Sequence, residues 1–267
     1  MQPDAYLAFT HELAERLRDD GRAIGLVAVG SMADRDYAPD EWSDHDFFVI
    51  TPQGEQEDLR SDLSWLPAHD RVALSFRETE HGLAVIYDDG HLLEFAVFDL
   101  DEIALARVNR YRLLLDCGGV RERVEHVAAN PPPQRDDRFL FGKTVVAALV
   151  ACGRGRRGET LSGAFTLVSA TTYLNRLLIR TLPGATPSIL DDFDTLRRFE
   201  QAYPELGAEL GAIVRLDPGD GGPALLDLLE RELRPLRPEL PWPAFDAVKA
   251  RLLPGGWGRE AAFGNIP

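Results

Sequence analysis

Asp44 and Asp46 are two carboxylates two positions apart, at the start of an apolar run that extends to residue 50. Side chains alternate along a strand, so the two aspartates face one side and His45 faces the other. At a separation of about 4–5 Å and an effective dielectric of about 20, two carboxylates repel by roughly 3–4 kcal/mol. A divalent cation relieves this repulsion, and hard oxygen ligands favour Mg²⁺. The pair is therefore a candidate metal site.

Gly30 and Ser31 end an earlier apolar run, residues 24–29, and a loop to residue 43 follows them. Glycine lets the backbone approach a ligand closely, and backbone amides with a serine hydroxyl can bind phosphate. The segment predicts a strand, a phosphate-binding turn and a second strand that starts with metal ligands. The alternative is an ordinary strand exit, with Asp44 capping a turn and Asp46 solvated.

Glu94 is the only charged residue in the apolar run 92–98. A strand that is apolar on both sides is usually buried on both faces, where an ionised carboxylate needs a partner or a metal. The alternative is an edge strand on which Glu94 meets water. Asp99 is a rival third carboxylate, but it faces the other side and precedes a short helical pattern. Asp99 or Asp101 is better explained as the N-cap of that helix.

These residues resemble the signature of the nucleotidyltransferase superfamily of the DNA polymerase β type. That signature is Gly-Ser, a spacer, Asp-x-Asp on a strand, and a third acidic residue on a later strand. The long spacer 32–43 is similar to that of streptomycin-type adenylyltransferases. The strand 92–99 is similar to its counterpart in lincosamide and spectinomycin nucleotidyltransferases. The resemblance covers about residues 20–120.

The resemblance implies a Mg²⁺-dependent enzyme that moves AMP from ATP to a hydroxyl of a small molecule, such as an aminoglycoside- or lincosamide-like antibiotic. It implies that Asp44, Asp46 and Glu94 are the catalytic and metal-binding residues. Gly30 and Ser31 would bind the nucleotide. Glu94 would complete a second metal site, accept the proton of the acceptor hydroxyl, or do both.

Two further residues are candidate substrate contacts. Glu159 follows Arg157 and Gly158, similar to an arginine-glycine-glutamate element in the helical domain of related resistance enzymes. Trp42 lies in the loop before the aspartates. It either covers the nucleotide or the acceptor, or anchors its loop.

Three basic residues precede Glu159: Arg154, Arg156 and Arg157. They suit a helix end, where cations are favourable, and a phosphate contact is the alternative.

Composition restricts the partners of the chain. Its 267 residues carry a net charge of −15, which opposes binding to nucleic acid and suits a cationic small molecule or a metal–nucleotide complex. Cys117 and Cys152 form no disulfide framework and fit a reducing cytosol. The start lacks the pattern of a signal peptide, and no stretch approaches a membrane span. A cytoplasmic protein without a membrane partner is expected, and a homodimer is left open.

Two other functions remain open at this stage. One is an adenylyltransferase that acts on a protein or another macromolecule, as antitoxin-type members of the superfamily do. Those are typically much shorter, and the acidic charge argues against tRNA. The other is a catalytically silent nucleotide-binding module, which the presence of all three carboxylates makes less favourable.

The predicted fold class is α+β: a small mixed β-sheet core with flanking helices, followed by an all-α helical bundle. The boundary is set by Pro131, Pro132 and Pro133, since consecutive prolines cannot continue a helix. The predicted domains are residues 1–130, for nucleotide and metal, and 131–267, for the substrate. Strands are predicted at 23–29, 46–51, 71–77, 83–88, 91–98 and 112–116. Helices are predicted at 4–19, 55–65, 136–153, 160–181, 193–214, 223–233 and 243–252.

The first helix is predicted to begin at Asp4 as its N-cap. Its apolar side is expected to contain Tyr6, Leu7, Leu13 and Leu17. The histidines 69, 81, 91 and 126 have no metal-ligand spacing and are expected on the surface or in turns.

Overall fold

A computed structural model of the chain describes residues 2–33, 39–108, 110–183, 190 and 194–252. The chain divides into two compact units, Met1–Pro133 and Gln134–Pro267. The described part of the first unit contains a mixed sheet with helices, and that of the second unit is helical. The α+β class predicted from the sequence is confirmed.

Six strands form one sheet in the described part of the first unit. They are β1 (Gly25–Ala28), β2 (His45–Thr51), β3 (Val72–Arg77), β4 (Gly82–Tyr87), β5 (Leu92–Asp99) and β6 (Arg112–Asp116). Their order is β3-β4-β5-β2-β1-β6. β2 and β5 run parallel, and every other neighbouring pair is antiparallel. Each predicted strand is present, and β4 and β5 form the predicted hairpin.

Helices α1 (Pro3–Asp20), α2 (Gln56–Ser61) and α3 (Val120–Ala129) cover the two faces of this sheet. α1 and α2 share a core with one set of alternate strand residues, which includes Phe47, Val49, Leu93 and Phe95. α3 shares a core with the other set, which includes Val27, Ile50, Ala96 and Phe98. The strands are apolar on both sides because both faces are covered.

The start of α1 differs from the prediction. The helix begins at Pro3 with Gln2 in the N-cap position, so the assignment of Asp4 as N-cap is wrong. Proline is favourable at the first helical position, because its missing N–H would have no partner there. Leu7 is 41% exposed and lies outside the buried side that Tyr6 belongs to.

Two other helices of the first unit also differ from prediction. α2 ends at Ser61 rather than near residue 65, and Asp62 after it has an extended backbone. Trp65 lies beyond the helix and donates from Nε1 to the carbonyl of Leu59 at 3.0 Å. α3 is not among the predicted helices. Its buried side is formed by Val120, Val124 and Val127, a helical spacing that is visible in the sequence.

The second unit contains six helices in its described part. They are α4 (Asp137–Arg156), α5 (Thr160–Thr181), α6 (Phe199–Ala202), α7 (Pro204–Ile213), α8 (Pro218–Leu233) and α9 (Trp242–Leu252). All six contribute to one core. α4 and α8 approach closely at Gly222, where a Cβ would lie 2.5 Å from the carbonyl oxygen of Ala148.

The prediction of one helix over 193–214 is wrong, although residue 193 itself lies outside the described residues. The chain leaves the helical conformation at Tyr203, directly before Pro204, and α7 starts anew there.

α8 begins five residues earlier than predicted and keeps Pro223 inside it. Asp217 caps the helix by accepting from the Gly219 amide at 2.8 Å. Pro223 has no N–H for the Gly219 carbonyl, and the Cys152 thiol donates to that oxygen at 3.2 Å instead.

Among the described residues, no helix is both long enough and apolar enough to span a membrane.

Candidate metal and nucleotide site

Three carboxylates meet at one end of the parallel pair β2 and β5. Asp46 lies on β2 in register with Glu94 on β5, and Asp44 directly precedes β2. One carboxylate oxygen from each residue lies within 4.8 Å of the other two. We call these three residues the acidic triad. β5 lies between β4 and β2, so the edge-strand alternative for Glu94 is wrong.

The triad is an all-oxygen donor set whose charges oppose one another. All three side chains are partly exposed. The pKa of Glu94 is raised, first by burial and then by the negative charges of Asp44 and Glu78. A hard divalent cation would relieve this repulsion and takes oxygen ligands, so the residues present fit Mg²⁺.

The turn at Gly30 lies directly against the triad. Gly30 has φ +53°, and a Cβ built on it would lie 1.9 Å from Oδ2 of Asp46. The carbonyl of Asp46 accepts from the amide of Val29 at 2.9 Å, which fastens the turn to β2. Only glycine permits this approach, and the turn therefore brings backbone next to a carboxylate that could hold metal.

The hydroxyl groups of Ser31 and Tyr6 both bind the backbone carbonyl of Asp44, the first residue of the triad. The Ser31 hydroxyl donates to the carbonyl oxygen of Asp44 at 2.6 Å. The Tyr6 hydroxyl donates to the same carbonyl at 2.9 Å and lies 2.8 Å from Ser31 Oγ. Burial is the main cause that raises the pKa of Tyr6 above its usual range, so the phenol keeps its proton.

His45 faces away from the aspartates, as the alternation of strand residues predicts. Its ring is fully buried and stacks on Tyr6 with 3.8 Å between the ring centroids. Its Nε2 lies 3.1 Å from Thr10 Oγ1, and its Nδ1 lies 2.8 Å from His91 Nε2. Burial, with a smaller contribution from His91, lowers the pKa of His45 to about 3, so the ring is neutral. His91 directly follows the β4–β5 turn, which agrees with the turn position predicted as one alternative, but its side chain is buried and not on the surface.

Sequence reasoning did not assign Tyr6, Thr10 and His91 to this region. Thr10 is fully buried one helical turn after Tyr6, on the side of α1 that faces the sheet. A polar residue on an otherwise apolar helix side is the signal that points to such a buried hydrogen bond. The amphipathic pattern of α1 shows which side is buried, but not which strand it covers.

Asp99, the rival of Glu94, lies at the opposite end of β5. Its Oδ1 accepts from the amides of Asp101 and Glu102, each at 2.8 Å. Its Oδ2 accepts from Gln56 Nε2 at 2.8 Å. Of the two predicted N-cap residues, Asp101 occupies the N-cap position of the short 3₁₀ helix Glu102–Leu105, but its side chain makes no capping bond. The carboxylate of Asp99 accepts from the amides at the start of this helix instead.

Trp42 lies in a turn two residues before Asp44. Its amide donates to Asp40 Oδ1 at 2.9 Å, while its side chain is 86% exposed. The indole is therefore not buried as a loop anchor. The residues just before this turn, 34–38, lie outside the described residues.

Glu159 belongs to the second unit. It forms an ion pair with Arg157 at 2.8 Å, and the hydrogen bond from Arg157 is the main cause that lowers the pKa of Glu159. Arg154 donates to Thr166 Oγ1 at 2.6 Å. Arg156 donates to the Leu252 carbonyl at 2.6 Å. Each arginine of the basic cluster thus has a partner within its own unit.

No protein-family model matches the chain, and no curated protein matches it. Similar solved structures include a nucleotidyltransferase-like protein from Exiguobacterium sibiricum, with 10% identity and a TM-score of 0.37 over 91% of this chain and 78% of that one. An aminoglycoside 6-adenyltransferase from Bacillus subtilis has 9% identity and a TM-score of 0.29 over 93% and 92%. The CD-NTase CdnG from Bradyrhizobium diazoefficiens, in complex with GTP, has 15% identity and a TM-score of 0.29 over 94% and 93%.

The descriptions of these neighbours match the class of protein that the Gly-Ser and Asp-x-Asp motif resembles. At TM-scores this low, the function proposed below rests on the residues of this chain and not on the neighbours.

Proposed function

We propose that this chain is a Mg²⁺-dependent nucleotidyltransferase that moves AMP from ATP to a hydroxyl of a small, amine-bearing molecule, in the manner of aminoglycoside- or lincosamide-modifying enzymes. The observation that carries the proposal is the acidic triad, with oxygens within 4.8 Å, directly against a glycine turn. Folding alone does not account for this arrangement, because the carboxylates bring like charges together and the turn leaves no room for a Cβ beside Asp46.

The roles of the residues follow from their charges. Asp44, Asp46 and Glu94 would hold Mg²⁺, which when bound neutralises phosphate charge and stabilises in-line attack at phosphorus. Gly30 and Ser31 would bind the phosphates through backbone amides and a hydroxyl. The acceptor oxygen bonds to the α-phosphorus as the bond to pyrophosphate breaks, and the acceptor proton passes to a base, for which Glu94 is the candidate.

The acceptor is proposed to be cationic because the chain has 29 basic and 44 acidic residues. An acidic surface concentrates amines near it, and this attraction weakens as salt screens it. Glu159 and the exposed Trp42 are the residues proposed to contact this acceptor. Binding of an aminoglycoside should therefore weaken markedly between low and high salt. Equal affinity at both salt concentrations would favour a neutral acceptor.

The test is incubation with labelled ATP, Mg²⁺ and a panel of aminoglycosides and lincosamides, following pyrophosphate release and label transfer. Asp46→Asn keeps the size of the side chain and removes its charge, so it should abolish Mg²⁺-dependent release while the protein stays folded. Glu80→Gln removes the same charge from a side chain that is 87% exposed, and this control should keep activity. Near wild-type turnover in Asp46→Asn would refute the metal assignment, and label on the protein itself would favour a macromolecular acceptor.

A further inference from the structure

The inner side of the nucleotide turn contains a closed triangle of three oxygens. Ser31 Oγ, the Tyr6 hydroxyl and the carbonyl of Asp44 lie 2.6, 2.8 and 2.9 Å apart in pairs. The triangle contains only two hydroxyl protons, and the carbonyl can accept both of them. Ser31 is only 8% exposed, so its hydroxyl is directed into the protein.

This arrangement conflicts with phosphate binding by Ser31. A hydroxyl has one proton to donate, and a phosphate oxygen can only accept. While Ser31 donates to Asp44, it has no proton for a nucleotide. If Ser31 turned outward with nothing in its place, Asp44 would lose a hydrogen bond at the residue that begins the metal-binding segment.

We propose that Tyr6 is a positioning residue that lets Ser31 exchange partners. On nucleotide binding, the Ser31 hydroxyl turns from the Asp44 carbonyl to a phosphate oxygen, and the Tyr6 hydroxyl keeps that carbonyl bound. The inference rests on the proposed function, since it needs a nucleotide on the Gly30 turn.

Tyr6 is well fixed for this role. Its ring stacks on the buried His45, and its own backbone carbonyl accepts from Thr10 Oγ1 at 2.9 Å. His45 is held in turn by His91. The phenol oxygen therefore stays at the Asp44 carbonyl without help from Ser31, as the exchange requires.

The test measures affinity for two probes: the Mg²⁺ complex of a nonhydrolysable ATP analogue, and Mn²⁺ alone. Tyr6→Phe keeps the stacked ring and removes the hydroxyl. This variant should bind the analogue about 3- to 10-fold more weakly, which is the effect of one hydrogen bond, and its affinity for Mn²⁺ should stay within about twofold of the wild type. Ser31 still holds Asp44 when only metal is bound, which is why the two probes should differ.

Two controls separate this role from general support of the fold. Tyr87→Phe removes another buried hydroxyl, which donates to the Pro67 carbonyl, and should leave both affinities unchanged. In a Ser31→Ala background there is no hydroxyl to exchange partners, so adding Tyr6→Phe should not lower the affinity for the analogue any further. A merely structural tyrosine would give the same loss in both backgrounds.

Three results would each overturn the inference. Tyr6→Phe could lower the analogue affinity equally in the wild-type and Ser31→Ala backgrounds, it could lower the Mn²⁺ affinity in parallel, or it could bind the analogue as the wild type does. If Tyr6→Phe does not fold, Ser31→Ala alone decides. Unchanged analogue affinity in that variant refutes the exchange, and weaker binding with normal Mn²⁺ affinity supports it. A wild-type protein that does not bind the analogue overturns the proposed function and the inference with it. A wild-type protein that binds both probes, while the variants give one of the contrary results above, overturns the inference alone.

Discussion

Gly30→Ala should disable the candidate site while leaving most of the fold intact. The added Cβ would lie 1.9 Å from Oδ2 of Asp46, whereas ordinary van der Waals contact begins at 3.4 Å. The carboxylate must therefore retreat by about 1.5 Å. Rotating the side chain does not remove the clash, because the Cβ of Asp46 is itself 2.8 Å away. The turn or the start of β2 has to shift.

The expected size of the effect has two parts. A left-handed conformation costs a residue with a Cβ about 1–2 kcal/mol, and this part lowers stability only. Because Asp46 is proposed to bind the metal, displacing its carboxylate by more than 1 Å should reduce turnover by about 10²-fold, and Mn²⁺ affinity should fall with it. Isothermal titration with Mn²⁺, pyrophosphate release and urea unfolding measure these quantities on the same protein.

Gly21→Ala is the matched control. Gly21 has φ +76° at the end of α1, and a Cβ added there would meet no heavy atom within 4 Å beyond its chain neighbours. It should show the same backbone strain and normal Mn²⁺ affinity. If Gly30→Ala binds Mn²⁺ and turns over as Gly21→Ala does, the close contact with Asp46 has no functional consequence and the reasoning is refuted.

Three further predictions concern charge. Glu94→Gln should reduce turnover about 10²-fold or more, while raising stability at pH 7. Burial raises the pKa of Glu94, so the ionised carboxylate destabilises the fold and its removal increases the stability. This stability gain should vanish below a pH of about 4.3, where the carboxyl is protonated in both the folded and the unfolded state. Thermal melts of the variant and the wild type at pH 7 and below a pH of about 4.3 would show it. Mg²⁺ at 100 times its Kd should stabilise the wild type by about 2.7 kcal/mol and Asp46→Asn hardly at all; equal shifts in urea unfolding would place the metal elsewhere. In the second unit, burial raises the pKa of Asp137, but hydrogen bonds from Arg180 and Arg237 outweigh it and lower the pKa. Asp137→Asn should therefore cost about 1 kcal/mol at pH 7. The difference from wild type should shrink once the pH falls below about 3.9 and disappear only below the lowered pKa of the folded state, whereas a constant difference would exclude this origin.

Local patterns were sufficient for much of the first unit. Period-two alternation predicts that His45 faces away from Asp44 and Asp46, and the structure stacks His45 on α1. The apolar run around Glu94 predicts a strand covered on both faces, and β5 is an internal strand. These inferences need only neighbouring residues, because side-chain direction in a strand depends on local geometry.

The register between β2 and β5 could not be predicted in the same way. The pairing of Asp46 with Glu94 depends on which strands are neighbours and on a parallel crossover, both non-local properties. The same holds for α1, whose buried side is readable but whose packing partner is not. The continuous helix predicted over 193–214 fails for a local reason, since Pro204 disfavours helix at Tyr203.

At the candidate site, the side chains on the two sides of β2 make different kinds of interaction. On one side, the partly exposed carboxylates of the acidic triad bring like charges close together. On the other side, Tyr6, Thr10 and neutral His45 form a buried hydrogen-bonded network that carries no charge. Glu94→Gln on the first side should stabilise the protein and reduce its turnover. Removing a hydroxyl on the second side should weaken the fold, because a buried polar partner loses its hydrogen bond. We therefore expect the buried network to fix the backbone of β2 at the residues that carry the repelling carboxylates.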